Sequence, residues 1–497
     1  MKRISLIIIA VLSMFTGIFA QNVDDALRYS QVFYGGTARF MSMGGAFTAL
    51  GGDLSAIGLN PAGTGVFRSS EFSLTPQLFY DNKSSLWNGS KSSAFSYVFN
   101  LSQIGIVSNL ISTGNETGLV SLNAAYSFNR TNSFNENISI NGISNNSSMA
   151  DYWVSISNDK SKMDIPDNAW AAYQTYLIDT LSGSNTSYGT IFSNYGGNTF
   201  SMYGQKITRE ISNSGYTGEH AFSIGANYSN KFYLGATLGI RSLRYTGHIE
   251  HLESDAENVI YDFKSFMYTD HLEATGTGYS LKIGTIIKPM EFLRIGLALH
   301  SPLIYRITEN YYDNISSHFD TKVNNIDSYE FSNNPTPYKY TFTTPFRINS
   351  GVALQIKKLA LISADYEFVD YSKSQFSKAI DNQSYSSEND SITSVLKSTS
   401  NFRIGAELRL NKIYLRSGYS YYGKPIKSSY DNKNLNYNTL SFGIGLRQQN
   451  FYFDLAYTLL ASTSKYNMYS DPGYLEPATI KTTRNTFAVT LGYKFGY

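Results

Sequence analysis

The sequence predicts an all-β fold: a transmembrane antiparallel β-barrel of about 14 strands with an N-terminal hatch, or plug, in its lumen. Three observations carry that expectation. The first is composition, because 497 residues hold 40 Tyr, 31 Phe and 39 Gly but only 16% charged residues, where a soluble protein carries roughly a quarter. The second is an apolar/polar alternation with a period of two that recurs along the chain. The third is the rhythm of the connections, in which tight turns alternate with long polar loops.

Taken in order, Lys2 and Arg3 followed by the apolar run Ile4 to Phe19 read as a signal peptide over residues 1–20, with cleavage after Ala20. No later stretch stays apolar for the roughly 18 residues that a helical span needs. A net charge of +2 leaves no basic footprint for nucleic acid. The absence of cysteine removes disulfides, thiolate nucleophiles and cysteine metal sites. Residues 21–69 lack sustained alternation and are rich in small residues, which permit backbone to pack closely on backbone.

Residues 70–497 read as the barrel. Its clearest strand is the last, with Phe487, Val489, Leu491, Tyr493, Phe495 and Tyr497 on one face and Ala488, Thr490, Gly492, Lys494 and Gly496 on the other. Phe402, Ile404, Leu408 and Leu410 oppose Arg403, Gly405, Glu407 and Arg409 in the same way, as do Leu440, Phe442, Ile444 and Leu446 with Ser441, Gly443, Gly445 and Arg447. One face suits lipid and the other water. Turns at Asn230, Pro289 to Met290, Lys357, Asn411 and Asn450 are tight, whereas residues 247–270, 307–337, 372–397 and 464–482 form long connections. An even strand number places both chain ends in the periplasm. The insertion 131–216 is then extracellular, with a short helix expected near Asp167 to Leu181, and serves either as a lid or as a loosely ordered shield.

By phase, Arg241, Asp365, Glu367, Arg403, Glu407, Arg409, Arg416, Arg447 and Asp454 face the lumen, since an Arg facing lipid at the midplane costs about 2–4 kcal/mol. They serve either as contacts for the hatch or a ligand carboxylate, or as a cross-strand ion-pair ladder, which is the favoured reading for any one of them.

The hatch segment runs Thr37-Ala-Arg-Phe-Met-Ser-Met-Gly44-Gly45-Ala-Phe-Thr-Ala-Leu-Gly-Gly-Asp53 and continues to Asn60-Pro61-Ala62-Gly63. It strongly resembles the N-terminal hatch of the outer-membrane long-chain fatty acid transporter family (FadL/TodX), and its loop style that of a Bacteroidetes-type member. Arg294 to Pro302, Thr344 to Arg347, Ala364 to Ser372, Leu415 to Tyr419 and Phe453 to Tyr457 fit the same family in the same order. The resemblance implies a plugged barrel integral to the bacterial outer membrane that passively takes up hydrophobic small molecules, long-chain fatty acids or similar. Gly44, Gly45, Asp53, Asn60, Pro61, Ala62 and Gly63 then become the gating candidates, and release requires the plug to shift. Phe495 and Tyr497 resemble the C-terminal signal read by the barrel assembly machinery. Asp53 stands alone where relatives often have paired acids, so the ligand does not carry over. The implied partners are the ligand, outer-membrane lipid and the assembly machinery, with a monomeric barrel.

Enzyme motifs are missing: no His-Glu-x-x-His run, Walker A loop or G-x-S-x-G elbow occurs, and no cofactor is implied. His248, Glu250, His251 and Glu253, in an expected external loop, form one metal-like cluster, read as a solvated loop rather than as a metal site. His300 beside Ser301 is a weak nucleophile-base pair. The competing reading to uptake is a non-transport interaction protein of the same superfamily, a type IX secretion shuttle or a surface-display barrel.

Overall fold

The computed structural model describes residues 23–193, 202–334, 337–378, 384–428, 437–469 and 476–495. The expected signal peptide and Tyr497 lie outside them. The barrel sheet contains 19 hydrogen-bonded segments, which make fourteen strands because several strands continue across a bend. In chain order these are β1 (Ser70–Trp87), β2 (Ser90–Ser112), β3 (Leu119–Ser133, continuing as Glu136–Ile143), β4 (Lys206–Tyr228) and β5 (Phe232–Ser254). They continue with β6 (Ser265–Met290), β7 (Leu293–His300 and Ile304–Val323), β8 (Ile326–Ser332, Tyr338–Thr343 and Arg347–Ile356) and β9 (Ala360–Asp370 and Gln375–Ser377). The last are β10 (Ser398–Leu410), β11 (Ile413–Tyr422), β12 (Tyr437–Gln448), β13 (Phe451–Tyr466) and β14 (Ala478–Phe495). All neighbours are antiparallel, and β14 closes on β1 from Ser70↔Phe495 to Leu86↔Thr479. Closure leaves no sheet edge in a bilayer that offers backbone groups no other partner.

The period-two pattern maps onto the wall as expected. Phe402, Ile404, Leu440, Phe442, Phe487 and Leu491 are exposed on the outer face, while Arg403, Ser441, Ala488 and Thr490 are buried on the inner one. The first hairpin turns at Asn88–Gly89, both with positive φ, as a tight extracellular turn requires. Several strands are longer than their alternation predicts. Residues 247–254 and 265–270, expected to be loop, extend β5 and β6 above the membrane, and residues 131–143 and 206–216 extend β3 and β4 likewise. These extensions turn Ile138, Ile140, Ile207, Ile211, Phe266 and Tyr268 inward and polar residues such as Glu210 and Ser212 outward, the reverse of the lipid-facing phase, so a search for apolar outer faces does not reveal them.

Residues 144–193 and 202–205 therefore stand outside the wall. After the two hatch helices α1 (Val23–Ser30) and α2 (Ala38–Ser42), they carry α3 (Met149–Ser157) and α4 (Asp167–Gln174), and α4 falls inside the range expected for a helix. Ser148 starts α3 with a reciprocal capping box to Asp151. Trp153, Ala169, Leu177 and Phe192 are buried against Phe266 and Ile315 of the barrel strands and Phe263 of the β5–β6 connection, so the insertion is folded onto a core of its own.

Three neighbouring strands bend at one height, at Ser301 to Leu303 in β7, Thr344 to Phe346 in β8 and Tyr371 to Lys373 in β9. Pro302 and Pro345 supply no ladder donor. Thr344 compensates by donating its amide to the Leu303 carbonyl (2.9 Å) and accepting the Leu303 amide on Oγ1 (3.0 Å). The bend makes room for the first hatch helix, Val23–Ser30, whose Leu27 and Tyr29 pack with Leu303, Tyr305, Phe342 and Tyr371.

Candidate functional site

The hatch enters the lumen high, through the helix Val23–Ser30, and descends past the short helix Ala38–Ser42 and two 3-10 turns, Ala56–Gly58 and Pro61–Val66. It then joins β1 at the periplasmic end. Asn60 starts the second 3-10 turn: its Oδ1 accepts the Ala62 amide at 3.1 Å, and Pro61 takes the first position, where no amide is needed. The Asn60 Nδ2 donates to the Thr48 carbonyl (2.6 Å) and to Thr285 of β6 (3.2 Å), which joins hatch to wall. Asp53 accepts Thr37 Oγ1 at 2.9 and 2.8 Å and the Ser55 amide at 2.9 Å, fastening the hatch to itself. Gly44 and Gly45 turn with φ of +61° and +72°, and the Gly44 carbonyl accepts Ser420 Oγ from β11. Gly63 lies against Gly51, where a Cβ on Gly51 would meet the Gly63 Cα at 2.7 Å.

The wall is shaped to receive this segment. On the inner face of β5, β6, β7, β10 and β11, the side-chain positions opposite the hatch are Gly235, Gly284, Gly296, Gly405 and Gly418. A Cβ on Gly235 would strike Pro61, one on Gly284 the Asn60 amide group, one on Gly296 the Thr48 carbonyl, and those on Gly405 and Gly418 Met43 and Gly44. These contacts follow from the sequence pattern, since the inner glycines recur in phase with the outer apolar residues.

Each of the nine inward charges predicted from phase lies at or near the hatch. Glu219 of β4 pairs with Arg241 (2.6 Å) and with Lys282, whose Nζ also donates to the Gly58 carbonyl at 2.7 Å. Glu367 accepts Arg347 Nη1 and Arg403 Nη2, each at 2.7 Å. Asp365 accepts the Thr48 amide (2.8 Å) and Thr48 Oγ1 (2.7 Å). Glu407 gathers Arg39, Arg409 and Arg416 at 3.0, 2.9 and 2.7 Å, and Asp454 gathers Arg416 and Arg447 at 2.7 and 2.8 Å. Asp365 and Glu407, the acceptor of Arg39, thus hold the hatch; Arg409 pairs with Glu407 along β10, and the rest form cross-strand pairs. Sequence phase missed Glu219 and Lys282, which sit in strands whose alternation is diluted by small residues.

Above the hatch lies a cavity of about 740 Å3, and none of those nine residues lines it. Its walls mix aromatic side chains, with Phe33, Tyr34, Phe79, Tyr245, Tyr422 and Tyr437 prominent, with polar ones such as Gln77, Asn132, Asn213 and Thr458. Most charges along it are already paired, Lys83 with Glu136 (2.7 Å), Arg484 with Asp81 (2.7 Å) and Arg28 with Asp25.

The cavity reaches a break in the wall. The β2–β3 ladder ends at the pair Gln103↔Asn129; above it β2 still pairs with β1 as far as Ser90, while β3 pairs with β4. Hatch residues bridge the two separated edges. Phe33 and Gly35 donate their amides to the Thr131 and Arg130 carbonyls of β3 at 2.7 and 3.0 Å, and Ser102 Oγ of β2 accepts the Gly36 amide at 2.9 Å. Two side chains cover carbonyls on the open edge: Arg130 Nε on Leu101 (3.4 Å) and Asn137 Nδ2 on Phe95 (3.0 Å). Tyr34, Gly35 and Arg130 line the cavity as well as the break. No periodicity signals such a gap, because it is a property of pairing and not of either strand.

The remaining sequence candidates separate. His248 and Glu250 face outward on β5, whereas His251 and Glu253 are buried on its other face, so the four do not converge. Glu253 accepts the Met149 amide at the start of α3 (2.7 Å) and Gln205 Nε2 (2.9 Å), so it fastens the external insertion, and burial holds the His251 imidazole below its ordinary pKa. Among the described residues no group of three or more His, Asp or Glu is placed to hold a metal. His300 Nε2 lies 2.8 Å from the Leu59 carbonyl of the hatch, which ties it to the hatch as well. Phe495 ends β14 against Ser70, stacked beside Tyr493.

No family model and no curated protein matches the chain. Solved structures do. A FadL homologue of Pseudomonas aeruginosa superposes with a TM-score of 0.56 at 11% identity, covering 94% of this chain and 100% of that one. The toluene transporter TodX of Pseudomonas putida gives a TM-score of 0.52 at 12% identity, over 93% of this chain and 99% of its own. A TodX mutant described as a monoaromatic hydrocarbon channel gives 0.54 at 12% identity over 93% and 100%. The likeness is one of fold: a fourteen-stranded barrel with an N-terminal hatch, along nearly the whole of each chain.

Proposed function

We propose that the protein is an integral outer-membrane channel for the passive uptake of hydrophobic small molecules. The observation that supports this best is the aromatic cavity above the hatch, whose lining runs to the break between β2 and β3. A hydrophobic solute enters from the external loops, rests among Phe33, Phe79, Tyr245 and Tyr437, and leaves through the break into the bilayer. Exit through the wall replaces a shift of the plug, because the hatch is wedged against glycine faces and fastened by Asp365, Asn60 and Ser420. Partition into lipid drives the step, so no nucleotide or metal is needed. The structures that share the fold include channels named for toluene and monoaromatic hydrocarbons, which supports the solute class.

The inward guanidinium groups expected to meet an acid head lie away from the cavity and are already paired, whereas Arg130 and Lys465 line it, so the solute class rests on the aromatic lining and not on exclusion of an acid head. The protein works as a monomer inserted by the barrel assembly machinery, with Phe495 and Tyr497 as its signal. The test is lipid and solute mass spectrometry on detergent-purified protein, followed by uptake of a labelled aromatic solute into liposomes carrying it. Retained apolar solute and uptake above empty liposomes are expected. An empty cavity with no uptake would turn the reading to a secretion or display barrel.

A further inference from the structure

A second cavity, of about 320 Å3, lies on the other side of the hatch, where β1 begins and β14 ends. Its chemistry is unlike that of the first. Five cations line it: Arg39 and Arg68 from the hatch, Arg294 from β7, Arg409 from β10 and Lys494 from β14. Glu71 is the one carboxylate in the lining among the described residues.

The local anions do not balance these charges. Glu407, just behind the wall, already serves Arg39, Arg409 and Arg416. Glu71 accepts the Tyr452 hydroxyl at 2.6 Å and faces Lys494 at 3.7 Å. Arg294 donates Nη1 to the Leu50 carbonyl (2.9 Å), and the cationic groups acting on it are those of Arg68, Arg39 and Arg409. Arg68 is exposed at the mouth. Gathering guanidinium groups without carboxylates destabilises the empty site through mutual repulsion. An anion between Arg68 and Arg294 relieves that repulsion, and the planar guanidinium suits bidentate contact with carboxylate or phosphate oxygens. The other wall is apolar, formed by Leu50, Val66 and Leu361. A charged rim beside an apolar wall fits an amphiphile rather than a bare ion.

We propose that this periplasmic cavity binds the carboxylate or phosphate head of an amphiphile, with Arg68 and Arg294 on the head and Leu50, Val66 and Leu361 along the chain. It is a site separate from the uptake cavity, and it faces the periplasmic leaflet, where both free acids and phospholipid heads occur.

Because the chain contains no cysteine, Ser69→Cys places a unique thiol in the lining of this cavity. The protein, in an uncharged detergent at low salt, is labelled with a maleimide in the presence of decanoate, decyl phosphate, dihexanoyl-phosphatidylglycerol or decanol. The anionic probes are expected to slow labelling at least threefold and decanol not at all, with protection lost at 0.5 M salt. Arg68→Gln with Arg294→Gln in the same background should abolish protection while heat-modifiable gel migration is unchanged. Stronger protection by decanoate identifies a free acid as the occupant, and stronger protection by the phosphatidylglycerol a bilayer lipid. Equal protection by decanol, or protection that survives either high salt or the double substitution, overturns the proposal. The comparison of decanoate with decanol needs only Ser69→Cys, so it decides even if the double variant does not fold. Labelling at this position does not read solute uptake, and failure here leaves the channel reading to its own test.

Discussion

Gly35 donates its amide to the Arg130 carbonyl at 3.0 Å, pairing the hatch with the edge of β3 that β2 has left. A side chain at this point has no room, since a Cβ on Gly35 would lie 2.8 Å from that same carbonyl and 3.2 Å from Ser102 Oγ. One backbone segment therefore closes the inner side of the gap and belongs to the hatch, so hatch position and gap width are coupled.

The gap can be tied shut chemically. In the cysteine-free chain, Leu101→Cys with Arg130→Cys places one thiol on each edge, where Arg130 Nε now reaches the Leu101 carbonyl. A cleavable bis-maleimide across them should lower solute uptake into liposomes at least tenfold, and cleavage of the linker should restore it. Uptake that ignores the linker would point to exit through the hatch.

Loosening the same contact should do the opposite. Gly35→Val forces the hatch segment out of the gap, so backbone hydrogen exchange at Phe33 and Gly36, whose amides donate to the Thr131 carbonyl and to Ser102 Oγ, should rise by an order of magnitude or more and uptake should quicken. Unchanged exchange at both residues would show that the segment does not cover the ladder.

The glycine faces predict leakiness in a different way. Gly284→Val places methyl groups where the Asn60 side chain lies, and Gly296→Val where the Thr48 carbonyl lies. Overpacking of this kind typically costs about 1–3 kcal/mol. The hatch should be displaced and not the barrel, so heat-modifiable migration persists while planar bilayers show a nonspecific conductance that wild-type protein lacks.

How much of this was legible beforehand follows from what each feature depends on. Strand positions in β10, β12 and β14 follow from alternation, because each strand buries one face in protein and offers the other to lipid. The nine inward charges follow from the same phase, though not their occupation by hatch contacts, since that needs the partner's position. Asn60-Pro61 announces a turn locally, and the structure puts it against Gly284. The β2–β3 gap left no trace, because Phe95, Tyr97 and Phe99 alternate as regularly where β2 lacks one neighbour as they would with two. The basic periplasmic cavity was equally invisible: Arg39, Arg68, Arg294, Arg409 and Lys494 are scattered through the sequence and meet only when the barrel closes.

Asp365 makes a double polar tie between wall and hatch, with the Thr48 amide at 2.8 Å and Oγ1 at 2.7 Å on the same carboxylate oxygen. Asp365→Ala leaves the buried Thr48 amide unpaired, which should cost about 1–3 kcal/mol. A thiol-reactive probe on Thr48→Cys would not serve as the reporter, since it alters the tie itself; a cysteine at Ala46 in the same hatch, buried and without a side-chain hydrogen bond, would. Urea should expose that thiol at a lower concentration in the variant, with the barrel transition unmoved. Coincident transitions shifted together would mean that hatch and barrel unfold as one unit.

Above the membrane, Asp313 of β7 stands directly across the ladder from Asp270 of β6, with Asp167 of α4 also acting on it. Burial pushes the Asp313 carboxyl up to about 6, opposed by the hydrogen bond from Asn333 Nδ2 at 2.6 Å and reinforced by the two neighbouring acids. The sign follows from linkage: the unfolded carboxyl ionises near its ordinary value while the folded one stays protonated, so stability declines as pH rises from about 4 to about 6, and the full cost stands above that window. Tyr268 and Tyr311, whose hydroxyls approach Asp270 Oδ2 at 3.4 Å, remain neutral throughout. Asp313→Asn removes the titrating group and should strengthen the external part of β6 and β7 by about 3 kcal/mol at pH 7 and by less than about 1 kcal/mol at pH 4. Hydrogen-exchange protection over residues 265–272 and 309–318, corrected for the intrinsic exchange rate at each pH, reads the difference. An advantage of the variant that is equal at both pH values would assign the effect to packing rather than to ionisation, and would remove Asp313 as a pH-sensitive element beneath the external insertion.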